Sequence, residues 1–485
     1  MKVRTHLSWL VITLALLAPA AHAAESTPET PGSEAAADAR VLQERGVDPS
    51  EDESKEPKAT KDEVEAVRDE VQVLRDQWQR SLERGFPTTV VQSNRPLIIS
   101  GTGQLRYTQN KPFINDGPLP ANVYNAVTIP FFALNFAGNL KKDYEQGKNV
   151  DYQLGIQTTG SATISITDAW LSYQIFNSLD KEGPRLSITG GQQKKYFGNE
   201  ATATEAFKPT IAGAQFATKL SLDQRDIGLV LAGDLLPAND YGYNYRVPAV
   251  QYWLGLVNGS GPNTAENNNN KDIFARIQLN APVNYDHLLR GLSLGFSGYK
   301  GWNNPGATTT TTNTITNTTG QVVSSSSTAT VLQSGPKERW GVDLAYVNTP
   351  VGFTLEYVHG KDIVGGSSTI KNGSGSKAGF SKISEEGYTL TLFYNFGDQF
   401  VPSAKQQDRY DDYYPLTYQP FVRFDSWTPN TDHPGVHTDI WTAGFNWFFA
   451  QTTKLQLNYN VTRDYKGSSN VTNIDAFLAQ FQFGF

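Results

Sequence analysis

Cysteine is absent from the 485 residues, which excludes a disulfide framework and a thiolate metal site. Histidine is scarce, at six residues. His6 and His22 fall in the leading segment, while His359, His433 and His437 are scattered with no H-E-x-x-H spacing. No G-x-S-x-G nucleophile motif occurs. Gly101-Thr102-Gly103 is a glycine pair inside an alternating segment, not a phosphate loop. The acidic pairs Glu385-Glu386 and Asp411-Asp412 are expected in solvated loops. No constellation for catalysis emerges and no cofactor is called for. A net charge of −7 gives no reason to expect a nucleic-acid partner. Long apolar runs are missing as well: nothing approaches the ~20 residues that a spanning helix needs.

What is present starts with a leader. Lys2 and Arg4 precede the apolar run Leu10 to Ala18, followed by Ala21-His22-Ala23, an A-x-A cleavage signal. Residues 1–23 read as a secretory signal peptide. Residues 24–60 are rich in Glu, Asp, Pro, Ala and Ser and predict an acidic disordered tether. Over 61–84, Val64, Val67, Val71, Leu74 and Trp78 fall at spacings of 3, 4, 3 and 4. That heptad pattern predicts a short periplasmic coiled coil. A single amphipathic helix lying against another element satisfies the same spacing. Gly85-Phe86-Pro87 ends it.

From Leu97 the texture changes to period-two alternation. It is plainest at the C-terminus, where Phe477, Ala479, Phe481, Phe483 and Phe485 alternate with Leu478, Gln480, Gln482 and Gly484. One face suits lipid and the other water. Sixteen such segments are found between Leu97 and Phe485. They predict an all-β fold, a transmembrane antiparallel β-barrel over 97–485 in the outer membrane, with the N-terminal segment in the periplasm. A closed barrel is the one sheet that can cross a bilayer with every backbone group paired. Loop lengths agree. With both termini inside, the long connections 108–128, 197–225, 258–271, 303–336 and 362–385 all fall outside, and Thr349-Pro350-Val351 and Ala450-Gln451-Thr452 are tight inside turns. The Thr/Ser-rich tract 308–330 is expected to be a flexible surface loop. The connections 236–246 and 398–416 are long for the inner side.

A charge facing lipid costs a few kcal/mol at the midplane, so alternation assigns charges to the lumen. Arg106 shares a face with Thr102 and Gln104. Arg276 opposes Ala275, Ile277 and Leu279. Arg339 and Asp343, Glu356, and Arg423 with Asp425 likewise alternate with apolar neighbours. The portion from Leu97 carries 29 basic and 31 acidic residues, so any selectivity depends on where charges point.

Gly191-Gln192-Gln193-Lys194-Lys195-Tyr196-Phe197-Gly198-Asn199-Glu200 resembles the G-Q-x-K-x-P-F-G-x-E segment of the phosphate-selective porin O/P family. Tyr196 stands where that family has proline. Arg225-Asp226-Ile227-Gly228 is similar to its R-D-x-G, and Ile99-Ser100-Gly101 with Gln104 is similar to its first strand. The resemblance implies a sixteen-stranded barrel, a homotrimer, and passive diffusion of small anionic solutes such as phosphate. It also implies that the third outer loop, about 198–225 here, folds into the barrel with basic residues at the constriction. Lys194 matches the motif lysine, and Lys208, Lys219 and Arg225 lie on or beside the loop. With Arg106, Arg276 and Arg423 from the alternation, these are the candidate pore-lining residues. The family's row of arginines has no residue-by-residue counterpart in this chain.

Two other readings fit parts of the chain. A general or sugar-type porin would use inward aromatics such as Trp170 and Trp253. A barrel anchoring the outer membrane to the cell wall would use residues 24–84.

Overall fold

The computed structural model describes residues 97–113, 125–141, 148–159, 163–177, 184–204, 208–240, 245–266, 269–316, 322–348, 350–372, 374–396, 417–449, 453–467 and 471–484. The leader, the tether, the heptad segment 61–84, Asp411-Asp412 and Phe485 lie outside them.

Seventeen strands form one sheet. In chain order they are β1 (Ile98–Phe113), β2 (Asn125–Thr128), β3 (Phe131–Lys141), β4 (Val150–Thr159), β5 (Thr163–Asn177), β6 (Pro184–Lys194), β7 (Arg225–Asp240), β8 (Tyr245–Val257), β9 (Asp272–Asn280), β10 (Leu292–Asn303), β13 (Gly335–Val347), β14 (Val351–Gly365), β16 (Phe380–Tyr394), β17 (Thr417–Thr428), β18 (Val436–Phe448), β19 (Lys454–Lys466) and β20 (Val471–Gly484). A separate sheet holds β11 (Gly306–Thr316), β12 (Val322–Leu332) and β15 (Ser367–Lys371). β2 and β3 pair with successive stretches of β1 and are two halves of one span. They part at Pro130, which has no N–H to give to a ladder. The large sheet therefore makes sixteen spans. β1 also pairs with β20 from Thr102 to Phe113, which closes the barrel and leaves it without an edge.

Burial is inverted relative to a water-soluble domain. On β9, Arg276 is 2% exposed and its neighbour Ile277 is 49% exposed. On β20, Gln482 is fully buried while Phe481 is 40% exposed. Outward aromatics pair with one another, mostly across neighbouring strands. Trp340–Tyr357, Tyr388–Phe424 and Phe424–Trp441 lie towards the long loops, with ring centroids 5.4, 5.7 and 4.5 Å apart. Tyr346–Phe353, Tyr418–Phe445 and Trp447–Phe449 lie towards the short turns. Outward rings of this kind suit contact with a bilayer.

Three expectations change. The 236–246 connection shortens, because β7 continues to Asp240 and β8 begins at Tyr245. Glu385 and Glu386 lie in β16, not in a loop. The Thr/Ser tract is not an irregular loop: β11 and β12 pair along eleven positions. Threonine is β-branched and favours extended backbone. Its hydroxyls also meet across the ladder, as in Thr308–Thr330 and Thr310–Thr328, each at 3.2 Å.

Candidate functional site

The connection between β6 and β7, residues 195–224, is the longest departure from the wall before β10, and it turns inward. It contains two short helices, α1 (Asn199–Thr202) and α2 (Gln215–Lys219). Its contacts run around the inner face of the barrel. The Gly198 N–H donates to Ser297 Oγ of β10 at 2.9 Å. The Asn199 and Glu200 N–H groups donate to Glu356 Oε2 of β14 at 3.0 and 2.7 Å. The Gln215 N–H donates to Asp425 Oδ2 of β17 at 3.0 Å. Asn446 of β18 donates to the Pro209 carbonyl, and Lys454 Nζ of β19 to the Lys208 carbonyl at 2.8 Å. The loop starts at β6 and reaches the wall at β19, so it crosses the lumen.

Two kinds of chemistry hold it there. The first is apolar. Phe197, Ala201, Ala214, Phe216, Ala217, Leu220 and Leu222 of the loop are buried with the wall residues Val230, Val257, Phe274, Tyr299, Val358 and Trp427. Those wall residues are apolar at inward positions, where a water-filled barrel would otherwise carry polar side chains. Gly198 sits at the tightest approach, with φ 62°, and a Cβ added there would collide with Glu356 Oε1. That is a place for glycine alone.

The second is charge. Glu200, buried on α1, meets Arg423 NH1 at 3.3 Å and Lys208 Nζ at 4.0 Å. It also accepts the Ala214 N–H at 3.0 Å. Burial pushes the Glu200 carboxyl up, but Arg423, Lys208 and that N–H outweigh it and hold the group below its ordinary value. Arg423 NH1 further donates to Thr210 Oγ1 at 2.8 Å and to the Ala212 carbonyl at 3.3 Å. A carboxylate on the loop thus sits between a loop lysine and a wall arginine.

The seven candidate residues separate into groups. Lys208 and Arg423 come together on Glu200. Arg276 forms a two-pronged pair with Asp343 at 2.6 and 3.0 Å, and shares Ser297 with the start of the loop. Arg225 grips Asp168 of β5 through Nε and NH2, both at 3.0 Å. Arg106 donates to Gln480 at 2.8 Å, and Gln480 donates to Gln456, whose amide holds the Pro209 carbonyl of the loop at 3.0 Å. Lys194 donates to the Thr202 carbonyl at 3.2 Å. Lys219 is exposed at the end of α2. The inward placement of Arg339, Asp343, Glu356, Arg423 and Asp425 agrees with the alternation, each being buried.

Alternation and motif did not single out Lys195. Its side chain is only 5% exposed. Its ammonium stands over the Tyr299 ring, 5.6 Å from the centroid, and Lys337 stands over the same ring at 5.0 Å. Lys337 pairs with Asp272 at 3.0 Å. No carboxylate among the described residues lies within ion-pair distance of Lys195. Burial, aided by Lys337, lowers its pKa to about 8 against the pull of Asp226, Asp272 and Asp223. One weak signal was available in the sequence: a second lysine directly after the motif lysine.

A family model described as phosphate-selective porin O and P matches residues 125–485. The chain belongs to that family. This porin is accordingly a channel of the outer membrane and not an enzyme. No match was found among curated protein sequences. Similar solved structures are outer-membrane channels at low identity. An anion-selective porin from Comamonas acidovorans is 8% identical, covers 80% of this chain and 99% of its own, with a TM-score of 0.48. The channel DcaP of Acinetobacter baumannii is 13% identical over 80% and 97%, with a TM-score of 0.43. OmpT of Vibrio cholerae, in its trimer form, is 10% identical over 80% and 100%, also at 0.43.

Proposed function

We propose that this porin is a diffusion channel for small anionic solutes, phosphate among them, with its preference set at the inward loop. The observation that carries the reading is the loop itself, stretched across the lumen with lysines on it. Arg225, Arg276 and Arg423 each have a carboxylate beside them. The anion preference therefore falls mainly to lysines of the loop: Lys219 is exposed and can meet a solute, while buried Lys195 acts through its field, with Lys194 and Lys208 close by. An ammonium in a narrow passage replaces part of an anion's water shell. Reversal potentials across a planar bilayer in a KCl gradient test this. Anion preference is expected, falling steeply in Lys195→Glu/Lys219→Glu. Cation preference in the parent, unmoved by that change, would sink the proposal. Block of chloride current by low phosphate is the separate test of phosphate as a solute.

The working unit is taken to be a homotrimer, for which three-step closure in single-channel traces is the sign. The coiled coil over 61–84 and cell-wall contact through 24–84 complete the proposal; a full-length chain that fails to pull down peptidoglycan removes the latter.

One observation favours the sugar-type alternative. Amides line part of the inner wall in direct pairs: Gln104 with Gln482 at 3.0 Å, Gln480 with Gln456 at 3.1 Å and Asn446 with Gln419 at 2.9 Å. Neutral amides suit hydroxylated solutes, but these six are buried, and Asn446 and Gln456 are already bonded to the loop at Pro209. Against it, Trp253 is stacked on Tyr196 at 5.2 Å and has one face covered. Swelling of liposomes in sugar against phosphate separates the two readings.

A further inference from the structure

The outer three-stranded sheet is unevenly protected. Its order is β12-β11-β15. The side beyond β11 is covered, because β15 pairs with it in parallel and Thr309 Oγ1 accepts the Ala378 N–H at 2.9 Å. On the other side β12 has one partner strand among the described residues, and the described side chains along it are exposed. Its sequence, from Val322 to Leu332, contains no charge, no proline and no glycine. Natural edge strands are normally protected by lysine, proline, a bulge or shortness. β12 has none of these over eleven residues, which is about 36 Å of extended chain.

The strand is also complementary to itself. Laid antiparallel on a copy about Ser327, it sets Val322 against Leu332, Ser324 against Thr330 and Ser326 against Thr328. Apolar ends meet apolar ends and hydroxyls meet hydroxyls, as Thr308–Thr330 and Thr310–Thr328 already do between β11 and β12. With no charge on the strand, two copies approach without repulsion there. A two-fold pairing of this kind uses the same surface on both partners.

We propose that β12 is a self-association edge: it pairs with β12 of a second copy of this porin, antiparallel and in register about Ser327. One strand pair buries less than the ~1,200 Å² of a standard stable interface. The contact is therefore weak in dilute solution.

The chain has no cysteine, so a single introduced thiol reports the register in the full-length protein. In this pairing residue 327 faces its own copy, with Cβ atoms about 5 Å apart. Residue 325 faces 329, which leaves its own copy about 13 Å away along the strand. Under mild oxidation, Ser327→Cys is expected to form disulfide-linked dimers about tenfold faster than Ser325→Cys, since a disulfide needs Cβ atoms ~4 Å apart. Adding Ser326→Lys and Thr328→Lys places like charges opposite each other and should abolish the difference. Mixing that protein with Ser327→Cys copies carrying Ser326→Glu and Thr328→Glu should restore it. These residues lie on an exposed strand outside the barrel, and resistance of the barrel to detergent unfolding checks that it still assembles. Equal rates at 325 and 327, cross-links that survive the paired lysines, or capture of a different protein by the thiol of the Ser327→Cys variant would each overturn the proposal.

Discussion

Two long connections leave the same end of this barrel and go opposite ways. Residues 195–224 turn into the lumen and bind the wall at β10, β14, β17, β18 and β19. Residues 306–332 turn outward and build a sheet of their own. The inward loop carries seven buried apolar residues and a carboxylate matched to Arg423. The outward hairpin is mostly Thr and Ser, uncharged, and hydrogen-bonds chiefly to itself. A loop enters a porin's lumen when it has apolar surface to bury and ionic partners waiting on the wall. Without either, extended backbone and β-branched side chains satisfy themselves in a hairpin.

The largest test of that contrast is Glu200→Ala. It removes the carboxylate that Arg423 and Lys208 share, while Arg423 keeps Asp425 3.5 Å away. Removing one member of a buried ion pair costs about 3–5 kcal/mol, and most of it should appear as undocking of the loop. Hydrogen exchange at loop amides should accelerate, and single-channel conductance should rise and grow noisy. Unchanged exchange with unchanged conductance would mean that the Glu200 pairs are not what fixes the loop. The corresponding change on the hairpin has nothing to remove, since its strands carry no charge.

The barrel was legible from the sequence because its signal is local. Each inward charge alternates with lipid-facing neighbours, so Arg276, Glu356 and Arg423 could be placed from a few residues on either side. The inward loop was legible only through the motif Gly191–Glu200. What it touches was not, because the partners Ser297, Glu356, Asp425 and Lys454 lie 99 to 246 residues along the chain. Pairing was hidden for the same reason: Arg225 and Arg276 looked like open cations until Asp168 and Asp343 were set beside them. The Thr/Ser tract misled in the other direction. Its low complexity suggested a flexible loop, whereas the cross-strand match of hydroxyl to hydroxyl depends on register, which composition does not carry.

A second test uses pH. Lys195 is held at about 8 by burial and Lys337, against Asp226, Asp272 and Asp223. In the unfolded chain it keeps its proton up to its ordinary 10.5. Between those two values the unfolded state binds more protons, so this group makes the folded state more stable as pH rises from 8 towards 10.5. Its effect on permeation has the opposite sense. The anion preference should weaken as pH passes 8, while Lys195→Met should show a lower preference with no step there. A parent profile flat from pH 7 to 9 would remove Lys195 from the passage.

The smallest effects compare one substitution in both regions. Thr210 is buried on the inward loop, accepting from Arg423 NH1 and donating to the Ala212 carbonyl, both at 2.8 Å. Thr328 is exposed on the hairpin, its hydroxyl 3.2 Å from that of Thr310. Valine keeps the shape and deletes the hydroxyl in each. At 210 a buried guanidinium loses an acceptor, for about 1–3 kcal/mol. At 328 water replaces the lost partner, and the change should stay within about 0.5 kcal/mol. Hydrogen exchange on each segment reads both. If the two valines cost the same, burial is not what separates the regions. The inward course of 195–224 would then rest on chain geometry, with Gly198 and its positive φ as the next residue to change.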